Sequence, residues 1–237
     1  MPTLVLLRHG QSQWTLENRF TGWVDVDLTA EGEAQARKGG ELIASAGIDF
    51  DEAFTSVQTR AIRTCNLALD AAQQSFVPVT KDWRLNERHY GGLTGLNKAE
   101  TVAKHGEEQV TIWRRSYDVP PPELAAGGEY DFSKDRRYAG KALPATESLA
   151  TTLVRVLPYW TAEIAPKLKA GETVLVAAHG NSLRAIVKHL FGVPDSEIVH
   201  VEIPTGNPLV IDLDADLKPT AARYLDESRA QKLPDAP

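Results

Sequence analysis

Thr3-Leu4-Val5-Leu6-Leu7-Arg8-His9-Gly10 and Thr173-Val174-Leu175-Val176-Ala177-Ala178-His179-Gly180 decide the fold. Each is a short apolar run that ends abruptly on a His-Gly pair. No polar residue alternates through either run, so both faces of each strand expect burial, as in a sheet covered by helices on two sides.

The segments between them carry helix and strand signals in alternation. Thr29 has the form of an N-cap, with Glu31 and Glu33 in the first turn where the helix dipole favours anions. Ala36, Ile43 and Ala46 give that helix an apolar side, and Gly47 ends it. A strand is expected over 50–57, then a helix from about Gln58 with Ala61, Ile62, Cys65, Leu69 and Ala72 on one face. A short strand is expected over 76–79, and Asn97 and Glu100 have capping-box spacing. Pro120-Pro121-Pro122 and Gly127-Gly128 mark 116–146 as a long surface excursion, of the kind that serves as a lid or binding loop. Leu149, Leu153, Val156, Leu157, Trp160 and Ile164 recur at helical spacing, with a kink expected at Pro158. A helix over 182–191, stopped by Gly192 and Pro194, and a last strand over 209–213 complete the pattern. The fold class is therefore α/β, three layers with a mainly parallel central sheet. The 237 residues are expected to form one domain, with a lid-like insertion at about 98–146 and a mobile polar tail at about 227–237.

Hydrophobic residues make up 42% and charged residues 24%, the balance of a chain with a real core. The net charge of -6 gives a field that repels nucleic acid and anionic membranes, so neither is expected as a partner. Cys65 is the only cysteine, which excludes an intramolecular disulfide and any cysteine-based metal site. The N-terminal apolar run is too short for a secretory signal, and the cytoplasm is the default address.

In open α/β sheets, ligands bind beyond the carboxyl ends of the strands, where both His-Gly pairs fall. Glycine after each histidine would let backbone approach a ligand closely. One such histidine alone reads as an ordinary loop residue; two at equivalent ends suggest a site. Its local company is arginine, Arg8 beside His9 and Arg60 in the first turn of a helix, which disfavours a metal and favours an anion. A structural ion pair is the other reading of Arg60. Backbone donors at Gly10, Gln11 and Ser12, and at Asn181 and Ser182, suit phosphate. A neutral imidazole among cations is a nucleophile toward phosphorus, so phosphoryl transfer is the expected chemistry, with His179 donating to the transferring group. Glu87 is the candidate general acid, although a surface pair with Arg88 explains it equally well.

Longer strings carry a family resemblance. RHGQSQW at 8–14, ENRFTGW at 17–23, TSVQTRAIRT at 55–64 and LNERHYGGLTGLNKAET at 85–101 resemble the cofactor-dependent phosphoglycerate mutases of the histidine phosphatase superfamily. WRRSYDVPPPEL at 113–124, AAHGNSLRA at 177–185 and IPTGNPLV at 203–210 continue the likeness in order to about Asp226. The resemblance implies a phosphoglycerate-mutase-like fold and interconversion of 3-phosphoglycerate and 2-phosphoglycerate through phosphohistidine. It implies 2,3-bisphosphoglycerate as priming cofactor, no metal, and a homo-oligomer, dimer or tetramer, to which apolar residues around 76–79 would contribute. A phosphatase of the same superfamily is the alternative. By resemblance His9 is the nucleophile, Glu87 the proton donor and acceptor, and Arg8, Arg60 and His179 the set that stabilises the transferring phosphoryl group. Gln11, Ser12, Thr21, Gly22, Arg88, His89, Tyr90, Lys98, Arg114, Arg115, Gly180 and Asn181 match substrate-binding positions. Thr15 and Gln11 depart from the family pattern, where asparagine and glutamate are common, and Thr15 lacks the amide donors of asparagine.

Overall fold

The computed structural model describes residues 2–234. Strand β1 (Thr3–Arg8) leads through helix α1 (Gln13–Leu16) to α2 (Ala30–Ser45), β2 (Glu52–Thr55), α3 (Thr59–Ala71) and β3 (Val79–Lys81). Two short helices, α4 (Lys98–His105) and α5 (Glu107–Arg115), open the segment 98–146, which continues as loop with two single turns of 3-10 helix. Helices α6 (Leu149–Tyr159) and α7 (Ala165–Lys169), strand β4 (Thr173–Ala178), helix α8 (Gly180–Phe191), and strands β5 (Leu209–Leu213) and β6 (Pro219–Tyr224) follow.

The sheet has the order β3-β2-β4-β1-β5-β6. Pairs β1–β4, β2–β4 and β2–β3 are parallel, and β5 and β6 add an antiparallel edge. Alternation along β1 explains the three layers, because successive side chains leave opposite faces of a strand. Leu4 and Leu6 join Val174, Val176 and Ala178 in a core closed by α6, α7 and α8. Val5 and Leu7 join Leu175 and Ala177 in a second core under α2 and α3. Gly40 lets those two helices touch, since a Cβ there would lie 2.2 Å from the carbonyl oxygen of Ala68. A small satellite core of Phe20, Leu93 and Val110 joins α5 to the loops at Phe20 and Leu93.

Local capping worked as expected at Thr29, whose side chain accepts from the Gly32 amide, and at Asn97, which accepts from Ala99 and Glu100. Several boundaries moved. The strand expected over 50–57 is only Glu52–Thr55, because Ser56 to Gln58 turn into α3. The strand expected over 76–79 is Val79–Lys81, and Phe76 stands in the preceding turn, 81% exposed. Pro158 lies within α6 without ending it; a π turn over Trp160–Ile164 follows, just before Pro166 in the first turn of α7. Pro166 is tolerated there because first-turn N–H groups have no partner within the helix. Helix α8 starts at Gly180, two residues earlier than its apolar spacing suggests. Strand β6, whose buried residues do not alternate, and helix α5, largely polar with only Val110 buried, are additions to the expected elements. Of the C-terminal tail, Leu233 packs against the main core, while residues 235–237 lie outside the described residues.

Candidate active site

Register brings the two histidines together. Arg8 pairs with Ala178 across β1 and β4, and the His9 amide donates to the Ala178 carbonyl at 3.0 Å. The rings then meet edge to face with centroids 5.0 Å apart, both buried. His9 Nδ1 lies 2.7 Å from the Gly10 carbonyl oxygen, which can only accept. The proton therefore sits on Nδ1, and Nε2 keeps its lone pair. His179 Nε2 lies 2.8 Å from Ser56 Oγ, which accepts from the Gln58 amide and is free to donate to the ring. With Ser56 donating to Nε2, the His179 proton sits on Nδ1, an atom buried without a partner among the described residues.

Two arginines complete this centre. Arg60, 1% exposed, donates to the carbonyls of Val24 and Gly22 at 2.9 and 2.8 Å and makes no ion pair among the described residues. Its charge is thus not cancelled locally, which answers the structural-pair reading. Burial above all lowers its pKa to about 10, partly opposed by Glu87. Arg8 donates to the Ile203 carbonyl at 2.8 Å. The Nε atoms of both arginines are buried without partners. Burial first, then Arg60 and Arg8, hold His9 well below the ordinary histidine value. His179 is lowered for the same leading reasons, burial and then Arg60. Both imidazoles are consequently neutral near pH 7.

The backbone contributes less than the sequence suggested. The Gly10 amide donates to Thr64 Oγ1 at 3.1 Å and the Gln11 amide to Gln35 Oε1 at 3.0 Å, so neither is free for an anion. The glycines serve packing: a Cβ on Gly10 would lie 2.1 Å from the Gly32 carbonyl oxygen, and one on Gly180 would meet the Arg8 guanidinium at 3.4 Å. At the start of α8 the acceptor is internal. Glu87 Oε1 accepts from the Asn181 amide at 3.1 Å, from Asn181 Nδ2 at 2.9 Å and from the Arg88 amide at 2.8 Å.

Glu87 is 8% exposed and forms no ion pair with the Arg88 guanidinium among the described residues, so it is not a surface pair. Ligand-type atoms of His9, Glu87 and His179 lie within 4.8 Å of one another. The three could in principle chelate a cation, yet Arg8 and Arg60 disfavour positive charge on both imidazoles. Behind Glu87, Arg155 donates to both oxygens of Glu147 at 2.7 and 2.8 Å and to the carbonyls of Arg84 and Glu87 at 2.7 and 3.2 Å. Glu147 in turn accepts from the His89 amide at 2.8 Å. This buried pair fixes the backbone of 84–89.

A cavity of about 250 Å³ adjoins the centre, lined by Arg8, Glu87, Tyr90, Lys98, Arg114, Arg115, Gly180, Asn181, Arg184, Val201, Glu202 and Ile203. Lys98 opens α4 and Arg114 and Arg115 close α5, so the helix pair delivers three cations to one wall. Burial, chiefly, lowers the pKa of Lys98.

Other expected positions stand elsewhere. His89 turns away: its ring packs against Trp23 and Phe132, its Nδ1 accepts from the Gly91 amide, and burial lowers its pKa to about 4. Arg88 is fully buried, donates to the Arg114 carbonyl and stacks its guanidinium 4.7 Å from the Tyr90 ring centroid. Gly22, at φ +53°, offers its carbonyl to Arg60 and Gln58, and Thr21 accepts from the Val24 amide through its own. Ser12 Oγ is shared with Thr15 Oγ1 at 2.9 Å, and Gln11 Oε1 accepts from Thr29 Oγ1 at 2.9 Å. Ser56, Arg155, Glu147, Arg184 and Glu202 were not singled out in the sequence. Ser56 alone had a signal, its place directly beyond β2 at the same sheet edge as the histidines.

The histidine phosphatase superfamily (branch 1) matches residues 4–137 and 130–224. A protein of Caulobacter sp. (strain K31) named 2,3-bisphosphoglycerate-dependent phosphoglycerate mutase is 88% identical over 99% of each chain. One of the same name from Hyphomonas neptunium is 65% identical over the whole of both chains. Among solved structures, a mycobacterial glucosyl-3-phosphoglycerate phosphatase in complex with VO3 superposes with a TM-score of 0.71 at 21% identity, covering 94% of this chain and 97% of that one. At that identity the likeness concerns the fold.

Proposed function

Because the chain belongs to the histidine phosphatase superfamily, we propose that it is a 2,3-bisphosphoglycerate-dependent phosphoglycerate mutase, interconverting 3-phosphoglycerate and 2-phosphoglycerate through a phosphohistidine at position 9. The observation that carries this reading is a set of buried donors without acceptors around His9: Nε of Arg8, Nε of Arg60 and Nδ1 of His179. Buried donors lacking partners are costly, and the oxygens of a phosphoryl group would satisfy them together. The same orphaned donors fit the priming cofactor, which supplies the phosphoryl group that first loads His9.

His9 Nε2 attacks phosphorus in line as the P–O bond to the substrate breaks and the N–P bond forms. Arg8, Arg60 and the His179 Nδ1–H stabilise the three equatorial oxygens. Glu87 gives its proton to the departing substrate oxygen, and in the return step it takes the proton of the attacking hydroxyl. Lys98, Arg114 and Arg115 hold the substrate's second anionic group, with Tyr90 and Asn181 beside them. Arg88, His89, Thr21, Gly22, Gln11 and Ser12 act as framework around that site in this reading. Segment 98–146 serves as the cover that keeps water from the phosphohistidine, without which the enzyme would hydrolyse its substrate. It is tied down by the Gly92 amide on the Pro122 carbonyl at 2.7 Å and by Arg137 on Asp25 at 2.6 Å. A homo-oligomer is the proposed assembly.

Peptide mass spectrometry after brief exposure to 2,3-bisphosphoglycerate should find phosphate on His9 and none in His9→Ala. Turnover of 3-phosphoglycerate should depend on the bisphosphate; hydrolysis exceeding isomerisation would establish the phosphatase alternative instead.

A further inference from the structure

Five cations line the cavity beside His9, but one of them is already engaged. Arg115 Nη2 pairs with the carboxylate of Glu202, and the two side chains are 36% and 47% exposed. The other cavity acid, Glu87, is held by Asn181 and the Arg88 amide, so Glu202 is the cavity acid whose carboxylate pairs with a cavity cation. Its backbone is fixed: Val201 and Ile203 are buried on either side, the Ile203 carbonyl accepts from Arg8 at 2.8 Å, and the Glu202 carbonyl accepts from Tyr224 Oη at 3.2 Å. Only the side chain can leave Arg115. Burial pushes the Glu202 carboxyl up, but Arg115, with Arg8 and Arg184, brings it below its ordinary value, so it is charged near neutral pH.

We propose that Glu202 is a specificity-determining residue: its carboxylate occupies the Arg115 donors that the substrate's second anionic group takes, and only a ligand anchored at both ends displaces it. A tethered carboxylate has an effective concentration on the order of millimolar or more at its partner. A free monoanion or inorganic phosphate in the micromolar range cannot compete with that. A ligand whose phosphate already sits at Arg8, Arg60 and His179 brings its own carboxylate to Arg115 at a comparable effective concentration, and so it can. The inference rests on the mutase reading for the identity of that ligand, and on the cavity alone for its charge logic.

Glu202→Gln keeps shape and removes charge. The expected result is a KM for 3-phosphoglycerate lowered about three- to tenfold, and a larger fall in the Kd for inorganic phosphate measured by calorimetry, so discrimination narrows. In an Arg115→Gln background the same substitution should change either constant less than about twofold, because the partner is gone. A merely structural pair would give the opposite sign, since losing it would loosen the loop and raise KM. An unchanged or raised phosphate Kd in Glu202→Gln, or an effect that persists without Arg115, overturns the proposal. Absence of wild-type mutase turnover with phosphate binding still tightened would fault the mutase reading and leave this one standing.

Discussion

Replacing Arg155 by Met should unfold the chain more readily than any change at its surface. Arg155 and Glu147 side chains are 6% and 3% exposed and meet through two nearly parallel bonds of 2.7 and 2.8 Å. Such a pair adds little over an apolar replacement of both partners, but removing one partner strands the other charge in the interior. Glu147 would keep only the His89 amide as donor, and the carbonyls of Arg84 and Asn86 would lose theirs, while the Glu87 carbonyl keeps the Trp23 indole N–H at 2.7 Å. The loss is expected at about 3–5 kcal/mol, equivalent to a fall in Tm of roughly 6–20 °C for a chain of this size. Urea unfolding followed by tryptophan fluorescence measures it, since Trp23 and Trp83 pack within 6.0 Å of each other and Arg155 lies over Trp23. The urea midpoint should drop with an unchanged slope. Adding Glu147→Gln, which still accepts from His89 but carries no charge, should recover at least about 1 kcal/mol. A single-variant loss below about 1 kcal/mol, or a double variant no more stable than the single, would refute the stranded-charge argument.

Acid should destabilise the protein early. His9, His179 and His89 all have folded pKa values below their unfolded ones, so the unfolded chain binds more protons; their contribution is full above about pH 6.5 and is lost as pH falls through the folded values. Each should add a slope of about 1.4 kcal/mol per pH unit in that window, and His89→Phe should flatten the measured profile between pH 6.5 and about 4. Ser56→Ala removes the group that keeps the His179 proton on Nδ1, and a five- to tenfold fall in kcat with little change in KM is expected; equal effects on both constants would contradict it. Gly10→Ala drives a methyl into the Gly32 carbonyl and should cost about 1–3 kcal/mol or more in denaturant unfolding, whereas Gly171→Ala, with open space around it, should cost only backbone strain.

By itself the sequence determined what depends on neighbours along the chain. Period and capping at Thr29 and Asn97, the two apolar runs, and the His-Gly pairs at their ends are local signals, and they sufficed for an α/β sheet with two histidines at one edge. Other properties depend on partners distant along the chain. Whether Glu87 was a surface acid or a buried one was set by Asn181, 94 positions on, and the His179 tautomer by Ser56, 123 positions back. The role of Gly10 was likewise decided by the carbonyl of Gly32, a packing contact that no property of the His-Gly pair announces. Helix α5 escaped because it is largely polar and buries only Val110, and strand β6 because its buried residues, Pro219 and Tyr224, do not alternate. Composition along the chain fixes which groups are present, but dielectric, hydrogen-bond partner and charge balance are properties of the folded neighbourhood. Only the tertiary structure could leave Nε of Arg8, Nε of Arg60 and Nδ1 of His179 unpartnered around one neutral imidazole.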